Sequence, residues 1–247
     1  MPLPADGIGR ADLHGVERLL ADDPPAFVHL IHVPSHRGLL QPAAEIAALC
    51  RAAGVPLVLD AAQSLGHADT DLGADAVYGT SRKWLAGPRG LGVLCVRPAL
   101  AARLTPVLPE PEGVPPMRAF ESGEAHIAGR VGLVVAVGEH VAAIPERVRE
   151  RLGSIGRATR QVLDGVAGWR VIEPLGEPTA TTTLIPPDGV DVVGTRTRLL
   201  TEHGIVTSAI GPERAPGEMT GPVLRVSPHL DATIDDLEAL AAALSGV

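Results

Sequence analysis

Two apolar runs with a helix-like segment between them restrict the fold of this chain more than any other feature. The runs are FVHLIHV (residues 27–33) and VPLVLD (55–60), and both have the continuous apolar character of strands that are covered on both faces. Residues 42–53 between them start with a proline and end before Gly54, as helices do. This order of strand, helix and strand predicts a right-handed parallel βαβ unit and an α/β fold.

Further elements extend this pattern on both sides. An amphipathic helix with Asp12 as its N-cap is predicted before the first strand, and two more strands are predicted at residues 75–79 and 91–96. His32 and Asp60 fall at the carboxyl ends of the first two strands. Ligands gather beyond those ends in parallel sheets, so both residues are candidates for a binding site.

The middle of the chain has a different character. Residues 98–116 are punctuated by proline and are predicted to be extended. A turn at Ser122-Gly123 then precedes a long apolar helix, and the valine-rich centre of this helix near Val135 is predicted to belong to the core.

Short strands and helices alternate in the last part of the chain, which indicates a smaller α+β domain. The chain is therefore expected to consist of a large domain over residues 1–144 and a small C-terminal domain over residues 145–247. Acidic residues gather at the start of the last predicted helix, where they interact favourably with the helix dipole (Asp235, Asp236 and Glu238).

The composition excludes several classes of function. The 247 residues carry a formal charge of −8, which disfavours binding to the phosphate backbone of nucleic acid. No run reaches the roughly 20 apolar residues of a membrane span, and the N-terminus does not have the pattern of a signal peptide. Cys50 and Cys95 lie in apolar runs and are expected to be buried core residues. These features predict a cytoplasmic protein that binds neither nucleic acid nor a membrane.

A metal site is not expected. His32 and His36 have the i,i+4 spacing of a helical metal pair, but Pro34 and Gly38 disfavour a helix there. A histidine in this loop can instead contact a substrate, although an ordinary loop histidine is an equally good interpretation.

Lys83 is the only lysine among the 21 basic side chains, and it lies in the turn before the fourth predicted strand. A lysine amine forms a Schiff base with pyridoxal phosphate, which also needs a carboxylate at its pyridine nitrogen. Asp60 is placed for that role, and Gln63 can donate a hydrogen bond near the phenolic oxygen. The alternatives are a solvated lysine and an aspartate that caps a turn.

Polar groups that suit a phosphate and a carboxylate complete this set. Thr80, Ser81 and Arg82 offer two hydroxyl groups and a guanidinium to a phosphate, although hydroxyl groups beside turns often cap backbone groups instead. Arg225 can bind a substrate carboxylate with both arms of its guanidinium, the alternative being an ordinary arginine at the edge of a strand.

At these residues the chain resembles a known family. The runs VLDAAQSLGH, YGTSRKWLAGPRGLGVL and VLRVSPHLDATIDDLEAL are similar to the class V aminotransferases, which are fold-type I pyridoxal-phosphate enzymes. The resemblance implies a three-layer α/β/α large domain, a smaller C-terminal α+β domain, an amino-acid substrate and a homodimer. It also implies site residues: Lys83 for the Schiff base, Asp60, Gln63, Thr80, Arg82 and Ser35 for the cofactor, and Arg225 and His36 for the substrate.

Within the family, the runs HVPSHRGLLQP and FESGEAHIAGRVG are most similar to the carbon–sulfur lyases of ergothioneine biosynthesis. That resemblance implies β-elimination on hercynylcysteine sulfoxide, with pyruvate and ammonia formed from the amino-acid part. A class V aminotransferase is the alternative, because the same lysine serves both reactions. A cysteine desulfurase is a weaker alternative, because the loop GPERAPGEMTGP at residues 211–222 contains no cysteine.

The chain also departs from the family pattern. Arg82 occupies a position that is often histidine, and Gly123-Glu124 replaces a Gly-Thr pair, so no phosphate contact to a neighbouring subunit is expected there. Members of the family are longer at the N-terminus, where they carry a glycine-rich phosphate turn. The large domain is therefore expected to be N-terminally truncated, either as a truncated product or mispredicted start of a longer protein or as an incomplete fold with an exposed apolar face. Weak cofactor binding is expected, and a non-catalytic remnant is a further alternative.

Overall fold

The computed structural model of the protein describes residues 1–107, 116–121 and 126–246. The chain divides into two compact units that are not continuous in sequence. The first unit contains Met1–His32, Gln41–Leu65 and Asp69–Ala142, and the second contains Val33–Leu40, Gly66–Ala68 and Ala143–Val247. The division into domains at residues 144 and 145 remains a proposal.

The first unit is built on a four-stranded sheet. Its strands are β1 (Val28–Ile31), β2 (Leu57–Asp60), β3 (Ala76–Thr80) and β4 (Gly92–Val96), in the order β1-β2-β3-β4. The first three strands run parallel, and β4 is antiparallel to β3. Helices α1 (Leu13–Asp22) and α2 (Ala43–Ala52) precede β1 and β2, and Asp12 caps α1 through the backbone nitrogen of His14. The predicted βαβ unit is thus confirmed.

One face of this sheet forms the core of the unit. Leu30 and Leu59 are buried there against Val16 of α1 and Ile46 of α2. The opposite face is open, since residues alternate between buried and exposed along β1 and Ile31 is 46% exposed. The expectation that these strands are covered on both faces is therefore wrong for β1, whose outward residues are His29 and Ile31.

The edge strand β4 and the segments that follow it correct two expectations. Cys95 is exposed, as are most residues of β4, whereas Cys50 is buried as expected. Pro98–Ala101 forms a short helix, α3, where an extended chain was predicted. A 3-10 turn follows at Pro116–Phe120. The predicted turn at Ser122-Gly123 and the Gly123-Glu124 pair lie outside the described residues.

The long helix α4 (Ile127–Ala142) is present but is not part of the core. Of its residues, all within the described part of the chain, only Gly129 and Ala136 are buried. Val135 is exposed, so its assignment to the core is wrong. The sequence shows that the helix is apolar but does not show whether another surface covers it.

The second unit is an antiparallel sheet with helices. Its elements are α5 (Pro145–Leu163), a 3-10 turn (Val166–Gly168), β5 (Arg170–Val171), β6 (Thr182–Ile185), α6 (Val192–His203), β7 (Ser208–Ile210), a second 3-10 turn (Pro212–Arg214), β8 (Val223–Val226) and α7 (Ile234–Ser245). The strand order is β5-β6-β8-β7, and the core contains Leu163, Trp169, Leu184 and Leu224. Thr233 and Asp236 form a capping box at the start of α7, where the sequence predicts acidic residues.

Within the described ranges, no single helix is long and apolar enough to cross a membrane. The helices α4 and α5 have the required length and apolar character only as a pair, and they are bent by 82° relative to each other.

Candidate active site

Asp60 ends β2, and the chain turns immediately after it. Its Oδ1 accepts a hydrogen bond from the backbone nitrogen of Ala62 at 2.8 Å, while Ala61 continues the strand ladder with a bond to the carbonyl oxygen of Tyr78 at 2.8 Å. The carboxylate is half-buried and is therefore accessible at the carboxyl end of a parallel strand. This is the location that the sequence predicts.

Gln63 lies in the turn that follows Asp60 and is half-buried. The turn is closed by the backbone nitrogens of Ser64 and Leu65, which both donate to the carbonyl oxygen of Ala61. Leu65 packs against β3 at Gly79, where an added Cβ atom would lie 2.9 Å from Leu65 Cδ2. Close packing at this glycine therefore sets the position of the turn relative to β3, and with it the position of Gln63.

Lys83 lies in a closed turn directly after β3. The backbone nitrogen of Ala86 donates to the carbonyl oxygen of Lys83 at 2.9 Å, and that of Gly87 donates to the carbonyl oxygen of Ser81 at 2.8 Å. Ala86 has a positive φ of 52°, which is uncommon for a residue with a side chain. The amine-bearing residue is half-buried and is thus held on a defined turn at the same end of the sheet as Asp60.

The three residues before Lys83 differ in what they offer to a ligand. The Ser81 hydroxyl is buried and donates to the carbonyl oxygen of Pro88. Thr80 Oγ1 donates to the carbonyl oxygen of Leu91 at 3.3 Å, and Arg82 is exposed. Ser81 therefore stabilises the turn, whereas the phosphate roles of Thr80 and Arg82 remain predictions.

Two residues that the sequence did not identify lie beside Asp60. Tyr78 of β3 is the register partner of Asp60, and its hydroxyl oxygen is 2.9 Å from Nε2 of His29 on β1. Burial raises the pKa of Tyr78, and the charge and hydrogen bond of Asp60 raise it further. Residues on the same face of neighbouring strands are predictable only once the register is known, so the sequence offered no signal for this group.

Arg225 lies on β8 in the second unit, between Thr183 of β6 and Ser208 of β7. Its guanidinium donates to the carbonyl oxygen of Ser35 and, at 3.3 Å, to the hydroxyl of Ser208, whereas Nε has no hydrogen-bond partner among the described residues. Burial lowers the pKa of Arg225, and the nearby charge of Arg214 lowers it further. The group suits a carboxylate ligand because it is a partly desolvated cation with an unused donor.

His36 is buried beside Ser35, and its Nε2 lies 2.9 Å from Oε2 of Glu218. The same carboxylate oxygen is 3.4 Å from an arm of Arg37. Burial lowers the pKa of His36, although the hydrogen bond and charge of Glu218 act in the opposite direction. The structure therefore brings Ser35, His36 and Arg225 together, with Glu218 as a partner that nothing in the sequence indicated.

His32 is buried at the end of β1 and is fixed by its backbone. Its backbone nitrogen donates to the carbonyl oxygen of Asp60 at 3.0 Å, and its carbonyl oxygen accepts from the backbone nitrogen of Gln41 at 2.9 Å. Residues 32–36 are not helical, as predicted, and the described residues contain no group of three potential metal ligands.

Comparison with known proteins relates these features to a family. The family model described as Aminotransferase class-V matches residues 1–240. A protein of Mycobacterium tuberculosis (strain CDC 1551 / Oshkosh), named "Probable hercynylcysteine sulfoxide lyase", is 52% identical over 246 residues, which are 98% of this chain and 62% of that protein. An isopenicillin N epimerase of Amycolatopsis lactamdurans is 31% identical over 238 residues, which are 86% of this chain and 58% of that protein.

Among solved structures, the apo cysteine desulfurase of Thermococcus onnurineus NA1 has a TM-score of 0.88 at 22% identity. The match covers 100% of this chain and 65% of that one, and it shows a shared fold. The chain thus spans about three fifths of the length of the curated relatives that it matches.

Proposed function

The chain belongs to the class V aminotransferase family, which has the fold-type I architecture of pyridoxal-phosphate enzymes, and from this premise we propose that it acts as a carbon–sulfur lyase. The proposed reaction is β-elimination on hercynylcysteine sulfoxide, which breaks the carbon–sulfur bond and releases the sulfur group as a sulfenic acid. A thiol reductant then converts this sulfenic acid to ergothioneine with loss of water. The observation that carries the proposal is the placement of Asp60 at the end of β2 and of Lys83 directly after the neighbouring parallel strand β3. The name of the 52% identical relative supports the substrate.

The residues present fit pyridoxal phosphate. Lys83 offers a primary amine, Asp60 offers a half-buried carboxylate, and Gln63 offers an amide on the turn that follows Asp60. When bound, the cofactor supplies an aldehyde for the amine and a ring that withdraws electrons from the α-carbon of the substrate. Thr80 and Arg82 would hold its phosphate, and Ser35 would make a further contact with it.

Each proposed role uses a property of the side chain itself. Asp60 holds a proton at the pyridine nitrogen because a carboxylate stabilises a neighbouring cation. Lys83 would hold the cofactor through its aldehyde and, as a free amine, would take the α-proton of the substrate at its Nζ. Arg225 orients the substrate carboxylate, and His36 contacts the substrate side chain. Departure of the sulfur group then leaves a fragment that water converts to pyruvate and ammonia.

The exposed apolar residues of α4 support a homodimer as part of this proposal. Ile127, Val131, Val134 and Val141 recur at intervals of three, four and seven residues and form one stripe, with exposed fractions of 62% to 72%. Contiguous exposed apolar surface of this kind is typical of protein interfaces. A second copy of the chain is the partner that we propose. A cytoplasmic location and a small amino-acid substrate complete the proposal.

Covalent labelling tests the proposed function directly. The 247-residue chain is mixed with pyridoxal phosphate, reduced with borohydride and digested, and the modified peptide is identified by mass spectrometry. We expect the label on Lys83, because the only other primary amine in this chain is the N-terminal one. Lys83→Arg is the matched control, since it keeps the positive charge and removes the nucleophile. The proposal would be contradicted if the wild-type chain carried no label on Lys83 and both proteins carried a label at another position.

The reaction type is tested with hercynylcysteine sulfoxide and the loaded chain. Pyruvate that is formed in the wild type and not in Lys83→Arg supports a lyase. Glutamate that is formed from an amino donor and 2-oxoglutarate, without pyruvate, would instead identify an aminotransferase. No product of either kind, with Lys83 labelled, would identify a chain that binds the cofactor without catalysis.

A further inference from the structure

Three polar side chains project from the same face of three neighbouring strands. Asp60 of β2 pairs in register with Tyr78 of β3 and with Ile31 of β1, and His29 stands two residues before Ile31. The rings of His29 and Tyr78 are stacked, with centroids 6.0 Å apart and an angle of 10° between their planes. Nε2 of His29 lies 2.9 Å from the hydroxyl oxygen of Tyr78.

The direction of each hydrogen bond follows from the donors available. An ionised carboxylate can only accept, and a phenol has one hydrogen to donate. Tyr78 therefore has one hydrogen to offer to the carboxylate of Asp60, its register partner, and in that arrangement its oxygen accepts from Nε2–H of His29. Asp60 also accepts from the backbone nitrogen of Ala62.

We propose that Tyr78, supported by His29, is a positioning residue that donates a hydrogen bond to the Asp60 carboxylate and orients it for the pyridine nitrogen of the cofactor. This inference rests on the proposed function, and it assigns roles to two residues outside the set that the family resemblance implies. A hydrogen bond from the Tyr78 hydroxyl fixes the direction of one carboxylate oxygen. Together with the bond from Ala62, it restricts rotation of a side chain at the end of a strand.

The surroundings of Tyr78 leave Asp60 as its only anionic neighbour on the paired strands. His29 faces it from β1 and Asp60 from β2, whereas its register partner on β4 is Leu94, which carries no charge. Tyr78 is also the only tyrosine of the chain. The ultraviolet absorbance of the phenolate therefore reports on this one side chain, and it does so without the cofactor.

The first experiment titrates Tyr78 in the cofactor-free chain by pH-jump absorbance. We expect the pKa of Tyr78 to lie above that of a solvated tyrosine and to fall in Asp60→Asn. It should remain high in Asp60→Glu, which keeps the charge, and in the matched control Asp71→Asn, which removes an exposed carboxylate. Far-UV circular dichroism at the same pH restricts the comparison to folded protein. The same pKa in wild type and Asp60→Asn would overturn the inference.

The second experiment measures pyridoxal phosphate binding to Tyr78→Phe, which keeps the ring and removes the hydroxyl. We expect binding to weaken about tenfold, because one hydrogen bond to a charged group is lost. Borohydride should still label Lys83 at saturating cofactor. Unchanged binding in a folded Tyr78→Phe chain would overturn the positioning role. A wild-type chain whose Lys83 is never labelled would instead overturn the proposed function, while the titration would still decide whether Tyr78 and Asp60 interact.

Discussion

Glu173 accepts a hydrogen bond at Oε1 from the backbone nitrogen of Gly38 at 2.8 Å, although 135 residues separate the two in sequence. Its other oxygen, Oε2, accepts from the backbone nitrogen of Thr183 at 2.8 Å. Glu173 is buried, and it therefore satisfies two backbone donors that would otherwise be unpaired in the interior. Through this bridge the loop that carries Ser35 and His36 is attached to β6, the neighbour of the strand that carries Arg225.

Replacing Glu173 with glutamine should destabilise the protein. An amide has only one oxygen, so its NH2 group would face one of the two backbone donors. We expect the free energy of unfolding to decrease by about 1–3 kcal/mol, as measured by urea denaturation. Glu202→Gln, at an exposed position of α6, is the matched control and should change it little. Equal losses in both variants would show that the bridge does not contribute to stability.

His32 should make stability depend on pH. Burial lowers its pKa from 6.5 to about 4, and the charge of Asp69 only partly offsets this effect. Between these values the unfolded chain binds a proton that the folded chain does not, so stability is full above pH 6.5 and decreases as the pH falls. The loss should reach about 3 kcal/mol near pH 4.

Urea denaturation at a series of pH values measures this effect, and His32→Asn should flatten the dependence. His14→Asn removes an exposed histidine of α1 and should leave the dependence as it is in the wild type. A slope that persists in His32→Asn would assign the pH dependence to other groups.

Two helical glycines should respond to alanine in opposite directions. At Gly156 of α5, an added Cβ atom would lie 1.9 Å from the carbonyl oxygen of Thr179 and 2.8 Å from Cα of Ala180. At Gly138 of α4, it would meet no atom within 4 Å. Gly156→Ala should therefore lower the melting temperature, at a cost of about 1–3 kcal/mol. Gly138→Ala should raise the melting temperature, because the higher helix propensity of alanine alone adds about 1 kcal/mol to the free energy of unfolding. A gain in both would mean that α5 can move away from Thr179.

The apolar stripe of α4 should mediate self-association. We expect the wild-type chain to sediment as a dimer, and the double variant Val131→Glu/Val134→Glu to shift toward monomer, because a charge that is buried in an apolar interface loses its hydration. Val193→Glu introduces the same charge at an exposed valine of α6 and should leave the dimer intact. Identical sedimentation of all three proteins would exclude the stripe as the interface.

The sequence was sufficient for the parts of the site that depend on chain order. Lys83 follows β3 and Asp60 ends β2, so the periodicity and the motif together located both residues correctly. Glu173 and Glu218 could not be found in this way. Their partners, Gly38 and His36, lie more than 130 residues away, and no local pattern encodes such a distance.

Apart from the short helix α3, the sequence by itself determined which segments form strands and helices, because apolar periodicity, prolines and caps act over a few residues. It also determined which residues stand at strand ends, among them the single lysine and Asp60. Only the tertiary structure decided which apolar surfaces are covered and which polar groups meet. Valines of α4 remain exposed and Cys95 lies on an open edge strand, since burial depends on the surfaces that pack against a segment. Likewise, strand register brings Tyr78 to Asp60 and His29, because hydrogen-bonded neighbours in a sheet can be distant in sequence.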